Sequence, residues 1–258
     1  MNPSSPTAVK WLNKVPEITL VFWIIKMMST TVGETAADYL SINLKLGLAG
    51  TSIIMACLLA GSLFFQIRAK RYVPALYWFC VVCISVFGTL VTDNLSDTFA
   101  VPLAVSTAAF GTALVIVFAI WYAKERTLSI QAIDTRGREY FYWAAILLTF
   151  ALGTAAGDWI AEGLGTGYAN AALLFGSMIV FIALARSVLK ANTTLCFWLA
   201  YILTRPFGAS CGDLLARPVT NGGLGLGTTM TSIIFLATIA CLIACLSIYR
   251  CPLGEQRV

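Results

Sequence analysis

The chain has 258 residues, of which 59% are hydrophobic and 11% charged, and its mean hydropathy is +0.84. A soluble domain carries about 25% charged residues, so water is the wrong solvent for most of this surface, and an all-α polytopic protein embedded in a lipid bilayer is expected. The formal charge of +5 comes from 17 Lys and Arg scattered through short gaps between apolar runs. That pattern is a topology signal rather than a nucleic-acid patch, so no nucleic acid is expected as a partner. With no histidine anywhere, the commonest metal ligand and the usual general base are missing. No enzymatic activity, catalytic residue or cofactor is expected.

At the N-terminus, MNPSSPTAVKWLNK is polar and basic, and the apolar stretch after it is interrupted by Lys26 and runs into repeated sequence. A cleaved signal peptide is not expected. Eight candidate spans follow at 18–37, 46–67, 72–92, 98–123, 140–157, 163–185, 191–212 and 218–249. The first and seventh carry embedded bases, Lys26 and Arg205. Every span is longer than the roughly 9 to 11 residues of a barrel strand and fits a transmembrane helix. Cys57, Cys80, Cys83, Cys196, Cys241 and Cys245 lie inside apolar runs, where thiols act as small hydrophobes. No disulfide framework is expected.

Four segments align without gaps: Trp23-IIKMMSTTV-Gly33-ETAA-Asp38, Trp78-FCVVCISVF-Gly88-TLVT-Asp93, Trp143-AAILLTFAL-Gly153-TAAG-Asp158 and Trp198-LAYILTRPF-Gly208-ASCG-Asp213. Tryptophan is followed by glycine at +10 and aspartate at +15 each time. The Trp-to-Trp intervals of 55, 65 and 55 residues make each repeat two helices long. They divide the chain into a first half, 1–123, holding repeats one and two, a linker loop, 124–139, and a second half, 140–258, holding repeats three and four.

Orientation follows from the basic residues. The termini and the loops between repeats hold thirteen of the 17, from Lys10 and Lys14 to Arg250 and Arg257, whereas loops within repeats hold only Lys45 and Arg217. Both termini and the 124–139 linker are therefore expected in the cytoplasm, with all four Asp-bearing helices running outward as parallel repeats. The fourfold Trp-Gly-Asp signature resembles a family of bacterial inner-membrane proteins built from four tandem copies of a repeat of unknown function. The resemblance runs from about Val15 to Tyr249, and VPEITLVFWIIK and TTVGETAADYL carry it most plainly. It implies the architecture and a bacterial inner-membrane location, and leaves function to the residues.

At about 1.5 Å per residue the glycine lies about 15 Å and the aspartate about 22 Å from the tryptophan. With each Trp in an interfacial belt, Asp38, Asp93, Asp158 and Asp213 share one depth in the outer half of the membrane. Glu34 precedes Asp38 by one turn, while Asp97 and Glu162 follow Asp93 and Asp158 by one turn. The plainer reading makes each acid a wet helix end, and makes the small pairs Gly33/Ala37, Gly88/Thr92, Gly153/Gly157 and Gly208/Gly212 packing contacts alone. Packing through those small faces would also bring the carboxylates onto one axis. An intramembrane carboxylate costs about 2.5 to 3.5 kcal/mol at mid-span, and like charges favour each other's protonation, so an empty cluster should hold protons that an entering cation displaces. A cation site formed by Glu34, Asp38, Asp93, Asp97, Asp158 and Glu162 is expected, with Glu34, Asp38, Asp93 and Asp158 as the metal ligands. Oxygen ligands favour a hard ion, and Ser29, Thr30, Thr31, Thr89, Thr92 and Thr154 could add neutral oxygens.

The leading functional expectation is a secondary transporter that exports a hard metal cation in exchange for protons. The alternatives are a non-transporting scaffold or assembly subunit, and a transporter of a small organic cation or of a soft metal bound by Cys80/Cys83, Cys241/Cys245 and Cys211. Homo-oligomerisation is left open. Repeat four departs from the others by carrying Arg205, Pro206 and Arg217. Asp213 is therefore expected to be ionised in a structural ion pair with Arg205 and Arg217, leaving repeats one to three to form the ion site. Lys26, three residues after Trp23, reads as interfacial, and Trp121 and Tyr122 as belt residues. The topology is checked by cysteine labelling in an otherwise cysteine-free variant: a thiol in the Gly165 loop should react from outside and one in the Arg136 loop should not. The reverse pattern would invert the assignment.

Overall fold

The computed structural model describes residues 14–250, with side chains described up to residue 247. The expectations attached to the first residues, Lys10 and Arg257 concern segments outside that range. Among the described residues there are eight α-helices and no strand: α1 Leu20–Asp38, α2 Gly47–Arg68, α3 Pro74–Asp93, α4 Leu103–Glu125, α5 Arg136–Asp158, α6 Tyr168–Ser187, α7 Thr193–Ala216 and α8 Thr228–Arg250. Their starts carry local signals. Thr19 and Thr135 accept from the backbone N–H three residues on, Asn192 accepts from Thr194 and Leu195, and Pro74 opens α3, each satisfying or removing a first-turn donor. Six helices, α2 to α6 and α8, are long and apolar enough to cross a bilayer, so the chain is a multi-pass membrane protein. The two that fall short are α1, with Lys26, Glu34 and Asp38, and α7, with Arg205 and Asp213. Their charged groups face the protein interior or the cavity described below.

The four signature helices form a closed ring in which α1 packs on α3, α3 on α5, α5 on α7 and α7 on α1. The signature glycine makes each contact possible. A Cβ on Gly33 would collide with Ser85, on Gly88 with Phe150, on Gly153 with Arg205, and on Gly208 with Thr30. These four partners all stand at +7 from their tryptophans, so every repeat offers its +10 glycine to the +7 residue of the next, and the fourth returns to the first. Hydroxyls bridge the same seams: Thr31 donates to the Gly208 carbonyl at 3.1 Å and Thr92 to the Ala151 carbonyl at 3.1 Å.

The second helix of each repeat packs outside this ring, and its main partner belongs to the following repeat. Helix α2 lies on α3, α4 on α5, α6 on α7, and α8 closes back onto α1. The exposed side chains of these outer helices, such as Ile53, Phe65, Val115, Phe181 and Ile233, are apolar, as a lipid-facing surface requires. Ring helices α1, α3 and α5 do not stop at the aspartate. Each passes into a five-residue π-helical turn, Tyr39–Asn43, Asn94–Thr98 and Trp159–Gly163, whereas α7 ends at Ala216 and Arg217 turns extended.

At the other end of the ring the structure corrects the belt reading of the tryptophans. Trp78, Trp143 and Trp198 are buried inside the ring with Phe22, Tyr77, Tyr142, Phe197 and Tyr201, in edge-on and tilted contacts 5 to 6.5 Å between ring centroids. The Tyr77 and Tyr142 hydroxyls bond to each other. Trp121 is likewise fully buried, stacked on Phe141 at an interplanar angle of 8°, while Tyr122 stays exposed. A belt residue needs polar surroundings at one edge. Among the described residues the Trp78 and Trp143 indole N–H groups have no partner, Trp198 donates only to the Leu128 carbonyl, at 2.9 Å, and Trp121 is enclosed against Phe141 and Trp198 on the outer side of the ring.

The two classes of glycine should respond to alanine with opposite signs. Gly61 on α2 has open space around its missing Cβ, so Gly61→Ala should gain up to about 1 kcal/mol of helix propensity. Gly33→Ala should lose about 1 to 3 kcal/mol, because its methyl meets Ser85 side chain and backbone. Thermal unfolding in detergent reads both, and a stabilised Gly33→Ala protein would disprove the close-approach role.

Candidate functional site

The +15 aspartates stand at the Asp end of the ring helices, where three of the helices widen into π turns. There Asp38, Asp93 and Asp158, but not the buried Asp213, line a cavity of about 380 Å³ together with Glu34, Ser41, Ser96, Asp97, Glu162 and Arg217 among others. All six acids expected to hold a cation line this one space. Carboxylate oxygens of Glu34, Asp158 and Asp213 lie within 4.8 Å of one another, which is compatible with one small ion between them.

Two arginines, both from repeat four, hold the counter-charge. Arg205 is fully buried at +7 on α7 and crosses the ring axis. One terminal nitrogen donates to Glu34 Oε2 at 3.2 Å, to Thr154 Oγ1 at 2.6 Å and to Thr89 Oγ1, and the other donates to the Thr30 carbonyl at 3.2 Å. Glu34, Thr89 and Thr154 are the +11 residues of repeats one, two and three. The guanidinium of the fourth repeat therefore fills the axis and bonds the other three. Arg217 lies at the cavity edge, where Nε donates to Asp213 Oδ1 at 3.0 Å and a terminal nitrogen lies 4.0 Å from Asp38 and 3.9 Å from Glu162. Tyr168 also donates to Glu162, at 2.7 Å. Among the described residues, the carboxylates of Asp93 and Asp158 have no hydrogen-bond or ion-pair partner.

Several sequence expectations change here. Arg205 does not pair with Asp213 but with Glu34, because the +7 position faces the axis at the level of the +11 residues. Asp213 bonds Arg217, as expected, and its carboxylate also lies within 4.8 Å of those of Glu34 and Asp158. The neutral oxygens expected as ligands are engaged elsewhere. Thr89 and Thr154 hold Arg205, Thr30, Thr31 and Thr92 bond carbonyls of neighbouring ring helices, and Ser29 bonds its own helix at Ile25. Ser41 and Ser96 line the cavity instead. They share position +18 in repeats one and two, a recurrence visible in the sequence but meaningful only once the π turns aim it inward.

Lys26 is not interfacial. It is 1% exposed, with Nζ 4.0 Å from the Phe150 ring centroid and 4.3 Å from that of Tyr201, and among the described residues it has no hydrogen-bond partner. Phe150 also faces the Arg205 guanidinium at 5.6 Å, so one aromatic ring separates two buried basic groups. Among the described residues the thiols form no metal-binding group. Cys80 and Cys83 are buried, whereas Cys57, Cys241 and Cys245 are exposed on outer helices.

Each repeat, taken as one ring helix and the outer helix after it, matches the family described as Repeat of Unknown Function (DUF347), over residues 21–72, 76–127, 141–191 and 196–250. The chain belongs to this family. No curated protein and no solved structure matches it. In this chain each repeat thus joins two helices that pack chiefly on different neighbours, and Arg205 and Arg217 are departures of the fourth repeat from the other three.

A double-mutant cycle tests the buried pair, whose side chains are 0% and 6% exposed. Arg205→Met alone strands the Glu34 charge and should cost about 3 to 5 kcal/mol, and Glu34→Gln in the same protein should recover much of that loss. Melting temperatures and folded yield report the result, and additivity between the Glu34 and Arg205 variants would dissolve the pair.

Proposed function

We propose that this chain is a secondary transporter of a hard metal cation in the bacterial inner membrane, exporting the ion in exchange for protons. All eight helices span the bilayer in this reading, the termini are cytoplasmic, and the acid-lined cavity opens to the outside. The observation that carries it is the close approach of Glu34, Asp158 and Asp213 at a cavity lined by six acids, Asp93 among them, and by one arginine, Arg217. Carboxylate oxygens without histidine or thiolate suit Mg²⁺, Mn²⁺ or Ca²⁺. The same set can hold protons when the metal is absent, which gives a physical basis for exchange.

Arg205 gives the path its gate. A fixed guanidinium on the axis repels any cation moving from the cavity toward the aromatic end, and its pairing with Glu34 keeps that carboxylate only partly available. Passage requires Arg205 to leave the axis, and Glu34 then turns from the guanidinium to the ion. Below it, Phe150, Lys26 and the Trp–Tyr cluster complete the seal.

Proteoliposomes containing only this protein test the reading, with Mg²⁺, Mn²⁺ and Ca²⁺ flux measured under an imposed proton gradient. The wild type should move at least one of them, and Asp93→Asn or Asp158→Asn should lower flux by about tenfold or more while the protein stays folded. Apparent affinity should rise with pH, since carboxylates shed protons to bind a cation. No flux above that of empty liposomes, or wild-type flux in both variants, would leave the carboxylates with packing alone.

A further inference from the structure

At the Trp end, far from the acid cavity, a second open cavity of about 470 Å³ lies between α2 and α5, lined by Phe64, Ile67, Arg68, Arg136 and Tyr140. Its charge is unbalanced. The nearby acids of the α4–α5 connection and the start of α5 are already engaged: Glu125 and Asp134 with Arg138 at 2.8 and 2.9 Å, and Glu139 with Lys14 at 2.6 Å. Among the described residues neither Arg68 nor Arg136 has an ion-pair or hydrogen-bond partner. Arg68 instead lies against the face of Phe64, 4.2 Å from the ring centroid, an arrangement that holds the guanidinium on the apolar wall while leaving its donors free.

The other lining groups are apolar or amphipathic, and Phe64 and Tyr140 are about half exposed. They stand where helices long enough to cross the bilayer end, so one side of the cavity meets hydrocarbon and the other meets the headgroup layer. Lys70 and Arg71, in the turn leaving α2, add positive charge beside it. Two free guanidiniums above an apolar groove at this depth match a phosphodiester carrying acyl chains.

We propose that this cavity is a binding site for an anionic glycerophospholipid, with Arg68 and Arg136 clamping the phosphate and Phe64, Ile67 and Tyr140 bedding the start of an acyl chain. The proposal is independent of what the acid cavity carries, because the two cavities share no residue.

The experiment uses the full chain in detergent, titrated with phosphatidylglycerol, phosphatidylcholine or sn-glycerol 3-phosphate, and reads melting temperature and retained lipid by native mass spectrometry. Phosphatidylglycerol should bind the wild type in preference to phosphatidylcholine. In the Arg68→Gln/Arg136→Gln protein its affinity should fall by about 30-fold, from the worth of two basic residues at a membrane surface, while the Lys pair Arg68→Lys/Arg136→Lys should retain most of it. Lys45→Gln, exposed at the Asp end of the molecule, should bind like the wild type. Equal binding of the two lipids by the wild type, an undiminished preference in the Gln pair, or equal protection by sn-glycerol 3-phosphate would overturn the assignment, the last by pointing to a soluble phosphate instead of a lipid.

Discussion

The structure depends on how closely four helices can approach one axis, and that distance is set by the missing side chain at +10. Each glycine receives the +7 residue of the next repeat, and because the fourth glycine receives the first repeat's Thr30, the contacts close into a ring. In a bilayer, helices gain nothing from hiding apolar surface from water, so such close van der Waals contact and the hydroxyl-to-carbonyl bonds beside it do the work of association. Narrowing the ring at this level has two consequences. A single guanidinium suffices to fill the axis, and the aspartates one turn beyond converge.

A ring of four equal repeats would place four equal aspartates around an axis with no counter-charge. The fourth repeat breaks that equality. Its +7 residue is an arginine where the first three carry Thr30, Ser85 and Phe150, and its +19 residue is an arginine where the middle repeats carry Asp97 and Glu162. Both arginines reach back into the acids of other repeats, one below the cluster and one at its edge. Among the described residues, the carboxylates of Asp93 and Asp158 are left without a hydrogen-bond or ion-pair partner. Under the proposed function, this asymmetry leaves Asp93 and Asp158 open to an ion while the two arginines hold Glu34 and Asp213.

The packing of outer helices onto the following repeat gives the ring its second layer of support. Because α2 braces α3, α4 braces α5, α6 braces α7 and α8 braces α1, a displacement of one ring helix is felt by the outer helix of the repeat before it. A movement of α7 that draws Arg205 off the axis would therefore load α6, and through the short Tyr168–Glu162 contact the π turn that follows Asp158.

The sequence by itself determined the helices, the fourfold repeat and the common level of the acids along the ring helices, since segment length and a strict Trp-Gly-Asp spacing are local properties of the chain. It also marked repeat four as different. Only the tertiary structure decided which residues meet. Trp78, Trp143 and Trp198 proved interior, Lys26 proved buried against Phe150 and Tyr201, and Arg205 chose Glu34 over Asp213. The threonines expected as ligands serve the seams between helices, and the π turns that bring Ser41 and Ser96 to the cavity leave no mark in an apolar span. Lipid and protein core are equally apolar, so hydrophobic pattern cannot say which face of a span turns inward. Those partnerships are fixed by how closely the ring glycines let neighbouring repeats approach.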